Sequence, residues 1–557
     1  MVIAAQAAAS SNGVINGIYV KVNNEQNFRP DEQDVVGTKP GPSSFVGAHT
    51  LLAHDALAGI EVTSSPLPAF TPQANAVLQF AEATTLPKPP LRAALIDSYF
   101  QNVFHRYPVV DRANLADVEC STLMKQAVCM AGSLMRHSSR TDALELTHSL
   151  YEKTKLMLFL NHDPDPVTSL ATLCLMICWS PHPTNSLSLD CPWQWTGTGV
   201  RLALQMGLHK DATYVNQPEA GRLRRLWWIL MNADRLQTAC FGRPLGVRYS
   251  DCDTRLPSLA DFAGVDISSH VFVQYTRVIA VWGEIADIGV RGGSTSVAVV
   301  EQLTDSLCTW IADLPEEIRL FDPMGMRRPY RQSVSELHMV YLVTIILLEA
   351  LSIKRYEQWS TSIPAIVAAS AIARLIEEVD CREDLSSMSS TTTFYVMAAS
   401  IPLIYHYPNS AERRQTRQEE LQILCSALER MSPRWGGASV VRKNIEKIRN
   451  VVERYAAQQQ HEVSEQAATA NSAFIWSQRY RPKDLFPFPA ALCSNMVLLD
   501  TSVDEPLDFG DMLLPLGDEA LSWAFGETQP YDDPFRLNVY SEVFTMVDEA
   551  SDSLNSG

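Results

Sequence analysis

The sequence predicts an all-α protein, with one large multi-helix domain between a disordered N-terminal segment and an acidic C-terminal segment. Three observations lead to this prediction. Hydrophobic residues make up 46% of the 557 residues, which is enough for a sizeable core. From Leu91 to about Tyr455, apolar residues recur at helical spacing, and the alternation that marks a strand is rare. No repeat of fixed length is visible, so a regular solenoid is not expected.

Residues 1–88 are predicted to be disordered, because they are rich in Ala, Ser, Gly, Asn and Pro and show only weak periodicity. The prolines of Pro87–Pro90 mark the start of the predicted domain, which covers 91–458. Turns rich in Pro, Asp, Ser or Gly separate most of its helices. The spacing predicts helices over 91–106, 117–137, 142–160, 166–179, 193–208, 219–240, 269–290, 296–312, 333–352, 363–379, 392–405, 415–431 and 439–458.

The predicted helix 219–240 carries a carboxylate on its apolar face. That face is formed by Leu223, Leu226, Trp227 and Leu230, and Asp234 falls in the middle of it. A buried carboxylate is costly unless it is paired. We therefore expect Asp234 to bind a helix N-terminus or an arginine, with Arg201 and Arg243 as candidates, and we expect Asp234→Asn to lower the melting temperature. The alternative is that the helix frays before residue 234 and the carboxylate meets water.

The last predicted helix of the domain, 439–458, carries a heptad seam. Its apolar residues follow a spacing of four, three, four and three, and they are Val441, Ile445, Ile448, Val452 and Tyr455. Such a seam can form a dimeric coiled coil. Because it is only two heptads long, we expect it instead to pack on its own domain.

The acidity of the chain belongs to its last residues. The net charge is −18, and residues 496–557 hold 14 Asp or Glu and one base, Arg536, so they contribute −13 and leave −5 for residues 1–495. Acids alternate there with bulky apolar residues, a composition typical of disordered activation segments. We predict an acidic-hydrophobic activation tail over 496–557, joined to the domain by a linker over 459–495. The alternative is a solubilising terminus.

Eleven scattered cysteines argue against a disulfide framework and against a zinc cluster. The first is Cys120, no Cys-x-x-Cys pair occurs, and several cysteines lie in apolar runs. Buried free thiols in a reducing compartment are expected. Met1–Ser11 lacks the basic and leucine-rich parts of a signal peptide, and the longest apolar run, Met339–Leu348, is about half of a membrane span. These features predict a soluble intracellular protein.

The sequence contains no recognisable catalytic, cofactor-binding or metal-binding motif. A nucleophile elbow, a phosphate-binding loop and a zinc-protease motif are all missing from it. Gly197 and Gly199 begin like a dinucleotide loop, but the third glycine is absent and a helix fits better. His209 and His338 lie beside apolar helical positions, where a hydrogen-bonded structural histidine is expected. We therefore predict that the protein is not an enzyme and holds no cofactor or metal.

Three short basic clusters are each offset by nearby acids. They begin at Arg222, Arg327 and Arg413. A solvated helix face or a loop is the expected structure for each, and one of them is a candidate nuclear import signal. The sequence thus offers no extended basic surface for nucleic acid.

Two adjoining predicted helices carry the most distinctive motifs of the chain. The first runs from Trp195 to Asp211 and the second from Arg222 to Arg235, followed by Phe241–Pro244. Together with Tyr99–Asp111 and Leu337–Tyr341, they resemble the middle homology region of fungal zinc-cluster transcription factors. Gly199 stands where that family usually has alanine. The signature residues are Trp195, Gly197, Arg201, Gly207, Leu208, His209, Arg225, Trp227, Trp228, Asp234, Arg235, Gly242, Arg243 and Pro244.

The resemblance implies a helical fungal regulatory domain with structural rather than catalytic signature residues. Gly207 and Leu208 are expected to end a helix, and Gly242 and Pro244 to fix a turn. The family's binuclear zinc cluster does not occur in this sequence. The expected function is a nuclear transcriptional regulator of a specific gene set, with coactivators as partners of the tail and a DNA-bound partner or a homodimer as further candidates. The alternatives are a metabolite-binding sensor or a partner protein without direct DNA contact, and a helical enzyme on the same fold. The cytoplasm is the alternative location.

Overall fold

The fold is all-α over the residues that can be described, as the sequence predicts. A computed structural model of the chain describes residues 45, 72–117, 120–135, 143–179, 187–292, 295–353, 361–408, 410–459, 482–500 and 512–513. Most of residues 1–88 and of the predicted tail 496–557 lie outside this part, so the predictions of disorder there are not addressed by it. A pair of two-residue strands is the only β-structure in these ranges beyond one isolated bridge.

The described helices agree with most of the predicted ranges to within a few residues. In chain order they are α1 (Pro72–Phe80), α2 (Pro89–Asn102), α3 (Arg112–Ala116), α4 (Thr122–Ser133), α5 (Ala143–Phe159), α6 (Pro166–Met176), α7 (Pro192–Gln205), α8 (Ala220–Phe241), α9 (Ile267–Arg291), α10 (Val297–Ala312), α11 (Gln332–Ile353), α12 (Ile363–Cys381), α13 (Thr392–Tyr405), α14 (Ala411–Met431), α15 (Gly436–Gln459) and α16 (Pro482–Leu485). The strands are β1 (His406–Tyr407) and β2 (Met512–Leu513), which pair antiparallel.

Capping residues explain several helix starts. Asp165 accepts hydrogen bonds from the backbone N–H groups of Val167 and Thr168 at the start of α6. Asp266 and Ser269 form a reciprocal capping box on α9. The predicted helix 117–137 begins instead at Thr122, because the Ser121 hydroxyl accepts from the amide of Leu123 and so caps α4 there.

One continuous apolar core joins the helices from α2 to α15. Helix α8 packs along α7 on one side and α9 on the other, and α9 in turn packs on α11. The next layer is formed by α12 and α13, which α14 and α15 cover. The stretch Gln332–Leu351 of α11 is long and apolar enough to cross a membrane, but 94% of its most apolar part is buried inside the fold. Such burial is typical of the central helix of a large helical core.

The heptad seam of α15 packs on its own domain, as predicted. Val441, Ile445 and Val452 are buried, and α15 lies against α13 and α14. Ile448 also packs against the core. These four residues of the seam are therefore not available for a dimeric coiled coil.

Two segments outside the predicted domain are folded. Helix α1 lies within the range 1–88, and its Leu78 forms a small apolar cluster with Ala83, Leu123 and Met157. Residues 482–500, which we assigned to the linker and to the first part of the tail, pack on α10 and α12. The Tyr341 hydroxyl donates to the backbone oxygen of Leu485 at 2.7 Å. The apolar residues of 482–500 therefore dock on the domain, and the linker prediction is wrong for this stretch.

Candidate functional site

Helices α7 and α8 and the loops that follow them bring the signature residues into one region. Loop 206–219 connects the two helices, and loop 242–266 returns from the end of α8 to α9. Eight signature residues are buried, and the other six are half-buried or exposed on the loops and the surface. The buried ones are Trp195, Gly207, Leu208, Arg225, Trp227, Trp228, Asp234 and Arg235; the others are Gly197, Arg201, His209, Gly242, Arg243 and Pro244.

Gly207 and Leu208 end helix α7 with a Schellman motif, as the resemblance implied. The Leu208 N–H donates to the Ala203 oxygen and the Gly207 N–H to the Leu204 oxygen, each at 3.0 Å. Gly207 has a φ of +74°, which favours glycine. Leu208 is buried behind the turn and fixes the direction of the chain. Gly242 likewise ends α8 with a φ of +61°.

Arg225 joins three separate parts of the chain. Its Nε donates to the Pro108 oxygen at 3.0 Å, its Nη1 to the Asp261 backbone oxygen at 2.7 Å, and its Nη2 to the Asp111 carboxylate at 3.0 Å. Its guanidinium also lies 4.9 Å from the centre of the Phe262 ring. Arginine suits this place because its flat group offers several donors at fixed angles. The loop before α3 and the loop before α9 are thus held on α8 by one side chain.

Arg224, the neighbour of Arg225, forms a second buried pair with Asp261. Its Nη1 lies 2.6 Å from an Asp261 carboxylate oxygen, and Arg255 approaches the same carboxylate from the surface at 2.8 Å. Burial alone would raise the pKa of Asp261, but hydrogen bonds from Arg255 and Ser258 and the charge of Arg224 outweigh burial and lower it. The sequence led us to expect a solvated face for this basic cluster. That expectation is wrong for Arg224 and Arg225, because loops pack over this end of α8.

Asp234 is paired, but with neither of the predicted arginines. Its carboxylate accepts hydrogen bonds from the N–H groups of Gly246 and Val247, at 2.9–3.3 Å. Burial raises the pKa of Asp234, and these amides and the charge of Arg235 oppose that rise. The helix continues to Phe241, so the fraying alternative is excluded as well. Asp234 therefore fixes the turn after α8 through backbone amides, which sequence patterns do not reveal.

The two arginines that were candidates for Asp234 have other surroundings. The Arg243 guanidinium lies 4.9 Å from the ring centres of both Trp193 and Phe241. Arg201 is exposed on α7. Both side chains thus lie at the surface of this region, and neither is paired with the buried carboxylate of Asp234.

The tryptophans of the signature contact three different neighbours. The Trp195 indole donates to the Tyr151 hydroxyl at 2.9 Å, and Trp228 donates to the Arg255 backbone oxygen at 2.8 Å. Trp227 is fully buried, and its ring centre lies 6.4 Å from that of His209. Adjacent residues 227 and 228 therefore face two packing surfaces, and each indole fixes a separate part of the domain.

Arg235 is buried against aromatic rings and close to a glycine of α9. Its Nε donates to the Tyr249 hydroxyl at 2.8 Å, and its guanidinium lies 4.0 Å from the centre of that ring. A methyl group on Gly283 would come within 2.6 Å of the Arg235 side chain, so this glycine makes room for it. Burial raises the pKa of the nearby Glu284 to about 7, against the charge of Arg235.

A second buried polar cluster was missed by the sequence analysis. Arg106 binds the Glu336 carboxylate at 2.9 Å, His105 lies 3.3 Å from it, and the Ser389 hydroxyl donates to it at 3.1 Å. Burial would raise the pKa of Glu336, but Arg106 and His105 keep it below its usual range; burial lowers the pKa of His105. The sequence offered one indication of this cluster, because Glu336 is a single acid in the first turns of the long apolar helix α11.

His338 has the structural role expected for it. Its Nδ1–H donates to the Val334 oxygen at 2.9 Å within α11, and burial lowers its pKa to about 4. The side chain is therefore neutral and packed near neutral pH.

The surface beside α7 contains an open groove that Phe45 helps to line. The groove has a volume of about 720 Å³ and is lined by Phe45, Leu173, Thr198, Arg201, Leu202, Leu204 and Gln205. His209 lies next to Phe45, with its ring 4.9 Å from that of Phe45 in an edge-to-face arrangement. Burial and the nearby Lys210 lower the pKa of His209.

The buried charged side chains of this region connect parts of the domain to one another. Each buried arginine described above is bound by a carboxylate, a hydroxyl or backbone oxygens of the same domain. Among the described residues, no three His, Cys, Asp or Glu side chains come together in a way that could hold a metal ion. The eleven cysteines, all of which lie in described ranges, are free thiols. The polar contacts described here thus hold the helices and loops of the domain together.

Part of the domain is similar to a known protein family. Residues 96–277 match the model of the "Fungal specific transcription factor domain", and this stretch includes both signature helices. The chain is 25% identical to the "Acetamidase regulatory protein" of Aspergillus fumigatus over 288 residues, which are 48% of this chain and 36% of that protein. It is 25% identical to "Cutinase transcription factor 1 beta" of Fusarium vanettenii over 202 residues, 33% of this chain and 23% of that protein.

A longer match extends beyond the signature region. An uncharacterized transcriptional regulatory protein of Schizosaccharomyces pombe is 24% identical over 393 residues, which are 62% of each chain. For the acetamidase regulators, by contrast, the chain spans about a third of the length of the relatives it matches, 36% and 34% for two of them.

Proposed function

We propose that this chain, which contains a fungal specific transcription factor domain over residues 96–277, is a fungal transcriptional regulator of a specific gene set. The match of the domain that holds the signature helices is the observation that carries the proposal. The relatives bear the names of transcription factors and regulatory proteins, not of enzymes. We therefore also propose that the chain has no catalytic activity and needs no cofactor of its own.

The gene set belongs, in this proposal, to a metabolic or secondary-metabolite pathway. Two of the relatives are named for the regulation of an acetamidase and of a cutinase, both of which are metabolic functions. The nucleus is the proposed location, because transcriptional regulators work there. A DNA-bound partner, or a second copy of the chain, is the proposed route to promoters, and direct DNA contact requires a DNA-binding module such as the family's zinc cluster.

Activation is assigned in the proposal to the acidic residues near the end of the chain. Residues 496–557 carry a net charge of −13 and interleave acids with leucine, phenylalanine and tryptophan. The acids favour an expanded segment, and the apolar side chains can dock into a coactivator groove. Because residues 496–500 pack on the domain, the part proposed to meet a coactivator begins after Asp500.

Chromatin immunoprecipitation of the tagged full chain tests the proposal most directly. We expect enrichment at a limited set of promoters and reduced transcripts of the neighbouring genes when the gene is deleted. A variant ending at Asp500 should keep its promoters and lose activation. Absence of promoter enrichment from a nuclear, folded protein would contradict the proposal and favour a metabolite-binding sensor.

The activating role of the tail is tested separately by fusion to a heterologous DNA-binding domain. Residues 501–557 should activate a reporter, and replacing Leu513, Leu514, Trp523 and Phe525 with alanine should abolish the signal. The matched control replaces Thr501, Ser502, Ser522 and Ser541 with alanine and keeps the charge and the apolar residues. Equal signals from the two variants, or none from the unmodified segment, would assign the tail to solubility instead.

A further inference from the structure

The last backbone carbonyl of helix α7 accepts a hydrogen bond from a residue far upstream in the chain. The oxygens of Leu202, Ala203 and Leu204 accept hydrogen bonds from the turn that ends the helix. The oxygen of Gln205 accepts from the backbone N–H of Phe45 at 2.7 Å. Carbonyls at a helix end need such partners, and here the N-terminal part of the chain supplies one.

The Phe45 ring occupies a corner made by two signature residues. Its edge-to-face contact with His209 has a ring separation of 4.9 Å and an angle of 87°. A methyl group at position 207 would lie 3.0 Å from one ring carbon of Phe45 and 3.3 Å from another. Gly207 is thus needed twice, once for its positive φ and once for the room that the ring takes.

The rest of the corner also suits an aromatic side chain. The Nδ1 atom of His209 is buried and has no hydrogen-bond partner among the described residues, so the imidazole serves here as a packing surface. The groove beside it continues over Leu173, Leu202 and Leu204, with Arg201 and Gln205 at its rim. Phe45 itself stays 41% exposed, as expected for a side chain that sits in a surface site and is not part of the core.

We propose that Gln205, Gly207 and His209, with the groove beside them, form a peptide-binding site whose occupant is the segment of this same chain that carries Phe45. The hydrogen bond from the Phe45 backbone to Gln205 and the contacts of the Phe45 ring act together. Short peptides with one aromatic anchor bind to protein surfaces in this way.

The length of chain between Phe45 and α1 favours binding within one molecule. The 26 residues from 46 to 71 can span up to about 90 Å at about 3.4 Å per residue, which exceeds the diameter of a globular domain of this size. Two binding partners joined within one chain commonly have an effective concentration in the millimolar range. A second copy at micromolar concentration therefore competes poorly for the same site.

A peptide-binding measurement on the full chain tests the proposal. The probe is a fluorescent peptide of residues 38–52, the protein variant is Phe45→Ala, and the readout is fluorescence anisotropy. We expect Phe45→Ala to bind the peptide saturably and the wild type to bind at least ten-fold more weakly, since its own segment fills the site. The matched control is Phe80→Ala, because Phe80 is 94% exposed on α1; it should behave as the wild type.

Further outcomes decide the proposal in either direction. A peptide with alanine at position 45 should not bind, and equal binding of the intact peptide to the wild type and to Phe45→Ala would overturn the proposal. Hydrogen exchange on the wild type gives a test that needs no variant to fold. The Phe45 amide should exchange slowly because its N–H donates a hydrogen bond to the Gln205 oxygen. Fast exchange would contradict the proposal, and protection that appears only at high protein concentration would assign the site to a second copy instead.

Discussion

Helices α8 and α11 are both 22 residues long and both lie in the core, yet they are buried in different ways. Helix α8 buries four charged side chains, Arg224, Arg225, Asp234 and Arg235, and each of them reaches a loop or a neighbouring element. Helix α11 is apolar on nearly all sides and buries two acids, Glu336 and Glu349. Helix α8 holds neighbouring loops through specific polar contacts, whereas α11 contributes mainly apolar packing to the core.

This difference offers a physical reason for the extent of the family-model match. The matched domain ends at residue 277 and includes α8 but not α11. A position such as Arg225 accepts few replacements, because three partners need the same donor geometry. Apolar core positions accept many combinations as long as volume and patterning are kept. We therefore expect the polar positions of α8 to tolerate fewer substitutions than the apolar positions of α11.

The largest expected effect comes from removing the centre of the α8 contacts. Arg225→Ala should lower the free energy of unfolding by about 3–5 kcal/mol, because it leaves buried oxygens and the Asp111 carboxylate without a partner. Arg225→Lys should lose much of the same amount, since an ammonium cannot reach three partners at once. Chemical denaturation measures both. Arg430→Ala, at a 62% exposed side chain, is the control and should cost less than about 1 kcal/mol; a similar loss at both positions would refute the special role of Arg225.

The second prediction concerns the buried acid near the end of α11. Burial raises the pKa of Glu349 from 4.5 to about 7, against a hydrogen bond with Ser362. The folded state thus keeps a proton that the unfolded state releases, and stability falls as the pH rises from 4.5 through 7. At pH 8, Glu349→Gln should be more stable than the wild type by up to about 3 kcal/mol, and the gain should vanish near pH 4.

Thermal unfolding across pH 4–8 measures this second effect. The control is Glu317→Gln, because Glu317 is exposed and its replacement should leave the pH dependence unchanged. A Glu349→Gln profile parallel to that of the wild type would show that Glu349 titrates normally in the folded protein.

A third prediction tests whether the two helices differ only in their polar contacts. Ile345→Val on α11 and Ile229→Val on α8 each remove one methylene group from a buried side chain. Both should cost about 1 kcal/mol, because the loss depends on the cavity and not on the helix. Denaturation midpoints compare the two directly. A clearly larger cost on α8 would mean that its apolar packing is also unusually strict.

The smallest effects are expected at two glycines of α7, and they should have opposite signs. Gly197 has open space around it, so Gly197→Ala should stabilise the protein by about 0.5–1 kcal/mol through helix propensity. A methyl group on Gly199 would lie 2.6 Å from the Leu230 side chain, so Gly199→Ala should destabilise by about 1 kcal/mol. Melting temperatures of the two variants give the comparison, and equal shifts would contradict it. The result would also explain why this chain differs here from the alanine usual in the family it resembles.

The sequence predicted most of the helices, because their apolar spacing is regular over long stretches. It also predicted that the seam of α15 packs on its own domain and that Gly207 ends a helix. It failed where the partner is a backbone group or a distant segment. Asp234 binds two loop amides, and Arg224 and Arg225 both bind Asp261, which lies more than thirty residues further along the chain. Neither kind of partner leaves a periodic pattern along the chain.

Short folded segments outside the main pattern were missed for a similar reason. Helix α1 has nine residues with one buried leucine, and residues 482–500 form only short turns of helix. Their burial becomes visible only when the surface they cover is known. The Phe45 contact with His209 is the extreme case, since one residue of the predicted disordered segment completes the corner after α7.

The docking of residues 482–500 also affects how truncating alleles should be interpreted. Leu485, Phe486, Leu492 and Met496 cover apolar surface of α10–α12, so a stop codon shortly after α15 would leave that surface open to water. Cells remove proteins with such exposed surface through chaperones and proteases. A null phenotype from such an allele would then report a loss of protein abundance, and only alleles that end after Asp500 would report the loss of the tail itself.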